Sequence, residues 1–185
     1  MSGLNLNLNF VEVNEDILRN EKGIASKNIS SPVGELYIQA NECGLTHLRL
    51  AEHLQELTEC SEFNSKAYDH LAITQQQLEE YFAGHRQHFT MALAPKGTQF
   101  QKEVWQALLA VEYGATCCYG DIANRINRPK AVRAVGAANG ANSIAIIIPC
   151  HRVIGKNGSL TGYAHGLDMK KSLLDVEQVN GFKLS

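Results

Sequence analysis

The sequence lacks a long apolar run. Its longest, Ile144-Ala145-Ile146-Ile147-Ile148, falls far short of the roughly 20 residues a membrane-spanning helix needs. It opens with MSGLNLNLNFVEVNEDILRN, which has neither the basic segment nor the apolar core of a secretory signal, so none is expected. No CxxC spacing occurs, and the five cysteines (Cys43, Cys60, Cys117, Cys118, Cys150) are an odd number. A disulfide framework is therefore not expected; reduced thiols in a soluble cytoplasmic protein are. The chain also lacks a strong net charge, at −2, which at first argues against a polyanion as partner. The average hides a split: residues 1–92 hold 6 Lys and Arg against 13 Asp and Glu, whereas residues 93–185 hold 11 against 6. A field divided in this way suits an anion-binding half joined to a half that does not bind.

What is present is enough for a packed core, since 44% of the 185 residues are hydrophobic and 19% charged. Residues 1–30 read as a polar, Asn-rich extension with one short alternating stretch (Leu4, Leu6, Leu8, Phe10). From Ser31 the alternation sharpens, and Val33 to Ala40 and Leu45 to Leu50 flank Asn41-Glu42-Cys43-Gly44 as a β-hairpin. Leu71, Leu78, Tyr81 and Phe82 then recur at helical spacing, with Gly84 as a stop. Residues 31–94 thus form a small α+β domain, and Pro95-Lys96-Gly97 links it to a second domain over 95–185. There Thr98 caps a helix whose inward face is Phe100, Val104, Trp105 and Leu108. A second helix runs from about Tyr119 to Ile126, and a third from Lys130 to Asn139 with Pro129 in its first turn. The pair reads as a helix-turn-helix. The third helix is nearly all small residues (Ala131, Ala134, Gly136, Ala137, Ala138) around one long cation, Arg133. Close helix packing and approach to a nucleic-acid groove both fit that composition.

The sharpest chemical feature is Pro149-Cys150-His151-Arg152-Val153, preceded by the β-branched run. Pro149 fixes its own φ and denies Ile148 helical geometry, so Cys150 is expected at the end of a buried extended segment. A thiol with an ordinary pKa near 8.5 needs a base or a positive field to act as a nucleophile, and His151 and Arg152 offer both. Neighbours in extended chain point to opposite sides, so the pair works only if the backbone turns here. Glu177 falls on the apolar side of a helix beginning near Leu167, in its last turn, where the helix dipole disfavours an anion. Such a carboxylate suits a Glu-His-Cys chain, or else a surface pair with Lys170 or Lys171.

Residues 97–177 closely resemble the catalytic domain of O6-alkylguanine-DNA alkyltransferases: RAVGAANG, PCHRV, the GSLTGY stretch and LLDVE occur in the family's order and spacing. SPVGELYIQANECGLTHLRL (31–50) is similar to the family's N-terminal domain. The resemblance implies an α+β protein with a small ribonuclease H-like α/β domain and a C-terminal helical catalytic domain of helix-turn-helix, winged-helix-like type. It implies Cys150 as irreversible acceptor of an alkyl group from O6 of guanine, and from O4 of thymine, in flipped-out DNA. His151, through a water, and Glu177 would form the activating relay, and Asn142 the hinge between recognition helix and acceptor. Arg133 would enter the duplex with Ala134 beside it, the third helix lying in the minor groove. Tyr119 would drive flipping and donate to guanine N3, Tyr163 line the pocket, and the Ala164 N–H donate to O6. The carbonyls of Cys150 and Val153 would accept from the guanine amino group. The partner implied is double-stranded DNA bearing O6-alkylguanine, met by a monomer without metal or organic cofactor. A damage-binding protein that does not repair, and a cysteine hydrolase, are the competing readings.

The chain departs from the family pattern at three places. Ser143 and Ala145 stand where prolines are common, and His165-Gly166 stands where two glycines are typical. Asn41 and Thr46 fall where some members hold zinc ligands, so no metal is expected. An imidazole at the pocket rim would slow benzyl-sized adducts relative to methyl. His165→Gly should therefore raise the benzyl-to-methyl rate ratio in single-turnover assays; an unchanged ratio would remove this role.

Overall fold

The computed structural model describes residues 23–51 and 64–183, so the Leu4–Phe10 stretch and Cys60 lie outside the described residues. Three antiparallel strands, β1 (Ala25–Ser31), β2 (Gly34–Asn41) and β3 (Gly44–Leu50), form one sheet in sequence order. Strand β1 occupies the end of the segment read from sequence as an extension, where its alternation is broken by exposed Ser26, Lys27 and Asn28. It pairs with β2 from Ala25↔Ala40 to Ser31↔Gly34. The β2–β3 hairpin closes as expected: Asn41 Oδ1 accepts from the N–H groups of Cys43 and Gly44 at 2.9 and 3.1 Å, building the turn from its own side chain. Gly44 has φ 152°, and a Cβ there would lie 2.5 Å from the Ala92 carbonyl oxygen.

Helix α1 (Ser65–Phe82), capped by Asn64 on the Ala67 N–H, lays Ala67, Leu71, Thr74, Leu78 and Tyr81 on the buried side. Helix α2 (Gln99–Leu109) starts with a reciprocal Thr98–Gln101 capping box and buries Val104, Trp105 and Leu108. After it come β4 (Cys117–Cys118), α3 (Tyr119–Arg125), α4 (Val132–Gly140), β5 (Val153–Ile154) and α5 (Leu167–Val176). Helix α4 begins two residues later than the sequence suggested, with Pro129 in the preceding turn and Ala131 at its N-cap. Trp105 Nε1 donates to the Ala138 carbonyl at 2.8 Å, which pins α4 to α2 through its small-residue side. Val135, Ala138 and Asn139 face inward; Arg133, Ala134 and Ala137 remain exposed.

The two halves are joined by backbone as well as by packing. The outer edge of β3 pairs with Leu93 at one end and Ile144 at the other. The Leu48 N–H donates to the Ser143 carbonyl and the Ala145 N–H to the Leu48 carbonyl, each at 2.9 Å, while Ser143 Oγ donates to the Thr46 carbonyl at 3.1 Å. Proline at 145 could not make its bond, so the departure noted in the sequence adds a tie between the halves. Covering an edge strand also removes a template for aggregation. Leu48 is fully buried at this seam. Leu48→Ala should cost about 2–5 kcal/mol in urea unfolding, with both halves still melting in one transition; two separated transitions would contradict the shared seam.

Candidate active site

The apolar run before Cys150 is not the extended segment expected from its β-branched composition. It folds back on itself in successive tight turns. The Ile147 N–H donates to the Ala145 carbonyl at 2.7 Å across Ile146, whose φ is 69°. A β-branched residue in that region is a strained γ-turn centre, costing about 1–3 kcal/mol. The Ile148 N–H reaches the Ile144 carbonyl at 3.1 Å, and the Cys150 N–H reaches the Ile148 carbonyl at 2.8 Å across Pro149. Burial of all five residues 144–148 overrides their strand preference. Asn142 organises the knot. Its Oδ1 accepts from the Ile144 N–H at 3.0 Å, and its Nδ2 faces the carbonyls of Ile144 and Ile148 and the Sγ of Cys150, at 3.3, 2.9 and 3.1 Å.

Cys150, His151 and Arg152 form one turn of 3₁₀ helix, all three buried. This is the change of direction the Cys-His pair required. The imidazole meets Glu177: Nε2 lies 2.8 Å from Oε1. An ionised carboxylate only accepts, so Nε2 carries the hydrogen and Nδ1 presents a lone pair. Nδ1 is buried and makes no hydrogen bond among the described residues.

Glu177 follows the last residue of α5, is 2% exposed, and is met by donors on both oxygens. Oε1 accepts from His151 Nε2, Arg152 Nη2 and the Tyr81 hydroxyl at 2.8, 2.9 and 2.8 Å; Oε2 accepts from Arg152 Nε at 2.8 Å and the Gly114 N–H at 3.3 Å. Burial alone would raise its pKa, but the bonds and charges of His151 and Arg152 outweigh that and hold it at about 2. The surface pairing with a lysine is not what forms: Lys171 pairs with Asp175, and Lys170 points inward. Burial lowers the pKa of His151 against the opposing pull of Glu177, so the ring is neutral at pH 7. Burial raises the pKa of Cys150; the Asn142 bond and the Lys170 charge act in the other direction.

The remaining predicted residues gather round the same turn, except those of α4. The parallel pairs Cys117↔Val153 and Cys118↔Ile154 bring the start of α3, and so Tyr119, beside the Cys150 turn. The Cys150 carbonyl accepts from the Val153 N–H, and the Val153 carbonyl from Lys170 Nζ at 2.6 Å. Tyr163 packs edge-on against His165 at 5.6 Å, while Ala164 is exposed. Arg133 and Ala134 stand apart, on the open side of α4. Sequence reasoning missed Tyr81, Lys170 and the role of Arg152 as a second partner of Glu177. Lys170 carried a signal, since it shares the apolar side of α5 with Leu173 and Leu174. Its Nζ also donates to the Thr161 carbonyl at 2.8 Å, and burial lowers its pKa to about 8.

Comparison with known proteins identifies the family. Residues 24–95 match the family model described as 6-O-methylguanine DNA methyltransferase, ribonuclease-like domain, and residues 99–179 match that of its DNA binding domain. The methylated-DNA–protein-cysteine methyltransferase of Methanosarcina barkeri is 48% identical over 154 residues, covering 82% of this chain and 96% of that one. The constitutive enzyme of that name from Bacillus subtilis is 46% identical over 155 residues, covering 81% and 93%. The crystal structure of Mycobacterium tuberculosis OGT in complex with DNA superimposes with a TM-score of 0.74 at 43% identity, covering 83% of this chain and 92% of that one. Models spanning both halves, near-half identity over most of the chain and a shared fold lead to one conclusion: the chain belongs to the 6-O-methylguanine DNA methyltransferase family, the methylated-DNA–protein-cysteine methyltransferases.

Proposed function

We propose that the protein binds alkylated double-stranded DNA and moves the alkyl group from O6 of a flipped-out guanine, or O4 of thymine, onto Cys150 Sγ, once per molecule. The observation that carries this reading is the buried Glu177–His151 pair, its Nδ1 without a hydrogen bond among the described residues, in the turn that holds Cys150. The thiol proton passes through a bridging water to Nδ1, and the imidazolium so formed is stabilised by Glu177. The thiolate attacks the alkyl carbon; the S–C bond forms, the C–O bond breaks, and its electron pair stays on the base. Tyr119 donates a proton to guanine N3, making the base a better leaving group. Asn142 holds Sγ toward the pocket, lined by Tyr163 and bounded by the Ala164 N–H and the Cys150 and Val153 carbonyls.

Flipping costs a few kcal/mol, which contacts to the duplex must offset. The exposed side of α4 suits that work: Ala134 and Ala137 let backbone approach a minor groove, and Arg133 is the one long side chain able to fill the gap left by the nucleotide. Minor-groove readout is degenerate, so sequence preference should be slight. DNA repair by a spent acceptor differs from damage sensing in its product, and this gives the test. After incubation with excess duplex containing one O6-methylguanine, mass spectrometry should find one methyl on the peptide bearing Cys150 and no further gain; binding without mass gain would make the protein a damage sensor.

Glu177 also links the site to stability. Its pKa is depressed in the fold, so its contribution is fully present above its unfolded value of about 4.5 and is lost as pH falls from there toward 2. Glu177→Gln should flatten the fall in urea-unfolding stability between pH 5 and pH 3, and slow alkyl transfer at least tenfold; a variant that loses stability with the unaltered pH slope would contradict the assignment.

A further inference from the structure

Tyr81 belongs to the N-terminal half, in the last turn of α1, yet its hydroxyl meets the carboxylate of the relay 96 residues later. The ring is fully buried, wedged against Phe82, Phe89 and Tyr113 at centroid distances of 5.2, 5.4 and 6.2 Å. Packing alone would be served by phenylalanine, and burying a phenol without a partner costs stability. The hydroxyl donates to Oε1, the same oxygen that accepts from His151 Nε2. Burial and the Glu177 charge push the phenol's pKa far above its ordinary value, so it stays a donor throughout the physiological range.

We propose that Tyr81 is a positioning residue for the acceptor relay, supplied by the N-terminal half: its hydroxyl fixes Oε1 of Glu177 against His151 and draws off part of the carboxylate's charge. The inference rests on the reading of Cys150 as alkyl acceptor. Oε1 has three donors, and two of them, Arg152 and His151, come from the acceptor turn itself. Tyr81 is the third, and it alone reaches the site from a different element of the other half. The surrounding charges are fixed by other contacts. Arg152, Tyr113 and Tyr163 face both Tyr81 and Glu177, while Lys170 lies near His151, Cys150 and Tyr163. Removing the phenol hydroxyl leaves Glu177 with fewer donors and more charge on Oε1. That favours the imidazolium, so His151 should titrate at higher pH, while the carboxylate's looser seat slows transfer.

The test is Tyr81→Phe in the full chain, with Phe89→Leu as a packing control that does not touch Glu177. Two measurements are made: the ¹⁵N NMR titration of His151 without DNA, and single-turnover methyl transfer from O6-methylguanine duplex across pH 5–9. Tyr81→Phe should raise the His151 midpoint, shift the acid limb of the rate profile upward with it, and slow transfer about tenfold at pH 7. Phe89→Leu should lower the melting temperature yet leave both pH profiles in place. Unchanged titration and rate in Tyr81→Phe would overturn the assignment, as would equal shifts in both variants. An unaltered chain that gains no methyl, while Tyr81→Phe still moves the titration, would sink the acceptor reading and leave the Tyr81–Glu177–His151 coupling standing.

Discussion

One buried carboxylate, Glu177, sets the terms for the rest of the site. An anion at a helix C-terminus and out of water is doubly disfavoured, by the dipole and by desolvation. It persists because five hydrogen bonds from four residues converge on its two oxygens, more than a carboxylate's lone pairs need. Those donors come from α1, from the loop after α2, and from the turn at Cys150–Arg152. The ion is therefore the point at which three separate parts of the chain must agree in position. His151 gains its tautomer from this contact, and through the tautomer the direction in which it can take a proton.

Asn142 plays the corresponding part on the other side of Cys150. Its side chain ties the end of α4 to the knot of turns that carries the thiol. The position of α4 is thus tied to that of the Cys150 thiol through one amide. Lys170 closes the arrangement from α5, its ammonium bonding the Val153 and Thr161 carbonyls. With its pKa lowered only to about 8, the ammonium stays mostly charged at pH 7, and the two carbonyls offset part of the cost of burying it.

Much of this was legible in the sequence, for identifiable reasons. Helical spacing exposed α1 and α2, and the Asn41–Gly44 turn exposed the hairpin, because local periodicity and turn chemistry decide those elements. Cys150, His151 and Glu177 were found because each is chemically odd where it stands. The failures share a cause. The run 144–148 reads as a strand, but its burial, the Asn142 side chain and the seam bonds to Leu48 hold it in tight turns that its composition does not signal. Strand β1 was hidden because only Ala25 and Ile29 of its seven residues are buried. Tyr81 looked like one more apolar helix residue, and nothing local to it reveals a partner in the other half. Side chains that act across the seam are invisible to any window of sequence.

The strained turn at Ile146 has a consequence for when the thiol becomes special. A left-handed isoleucine is tolerable only once Asn142, the β3 edge and the surrounding core are all in place, and the Glu177 cluster needs a residue nearly a hundred positions upstream. No fragment of the chain emerging during synthesis holds these together. Until folding is complete, Cys150 has none of these neighbours in place. The arrangement around the Cys150 thiol therefore arrives all at once with the completed fold, and no part of it precedes the rest.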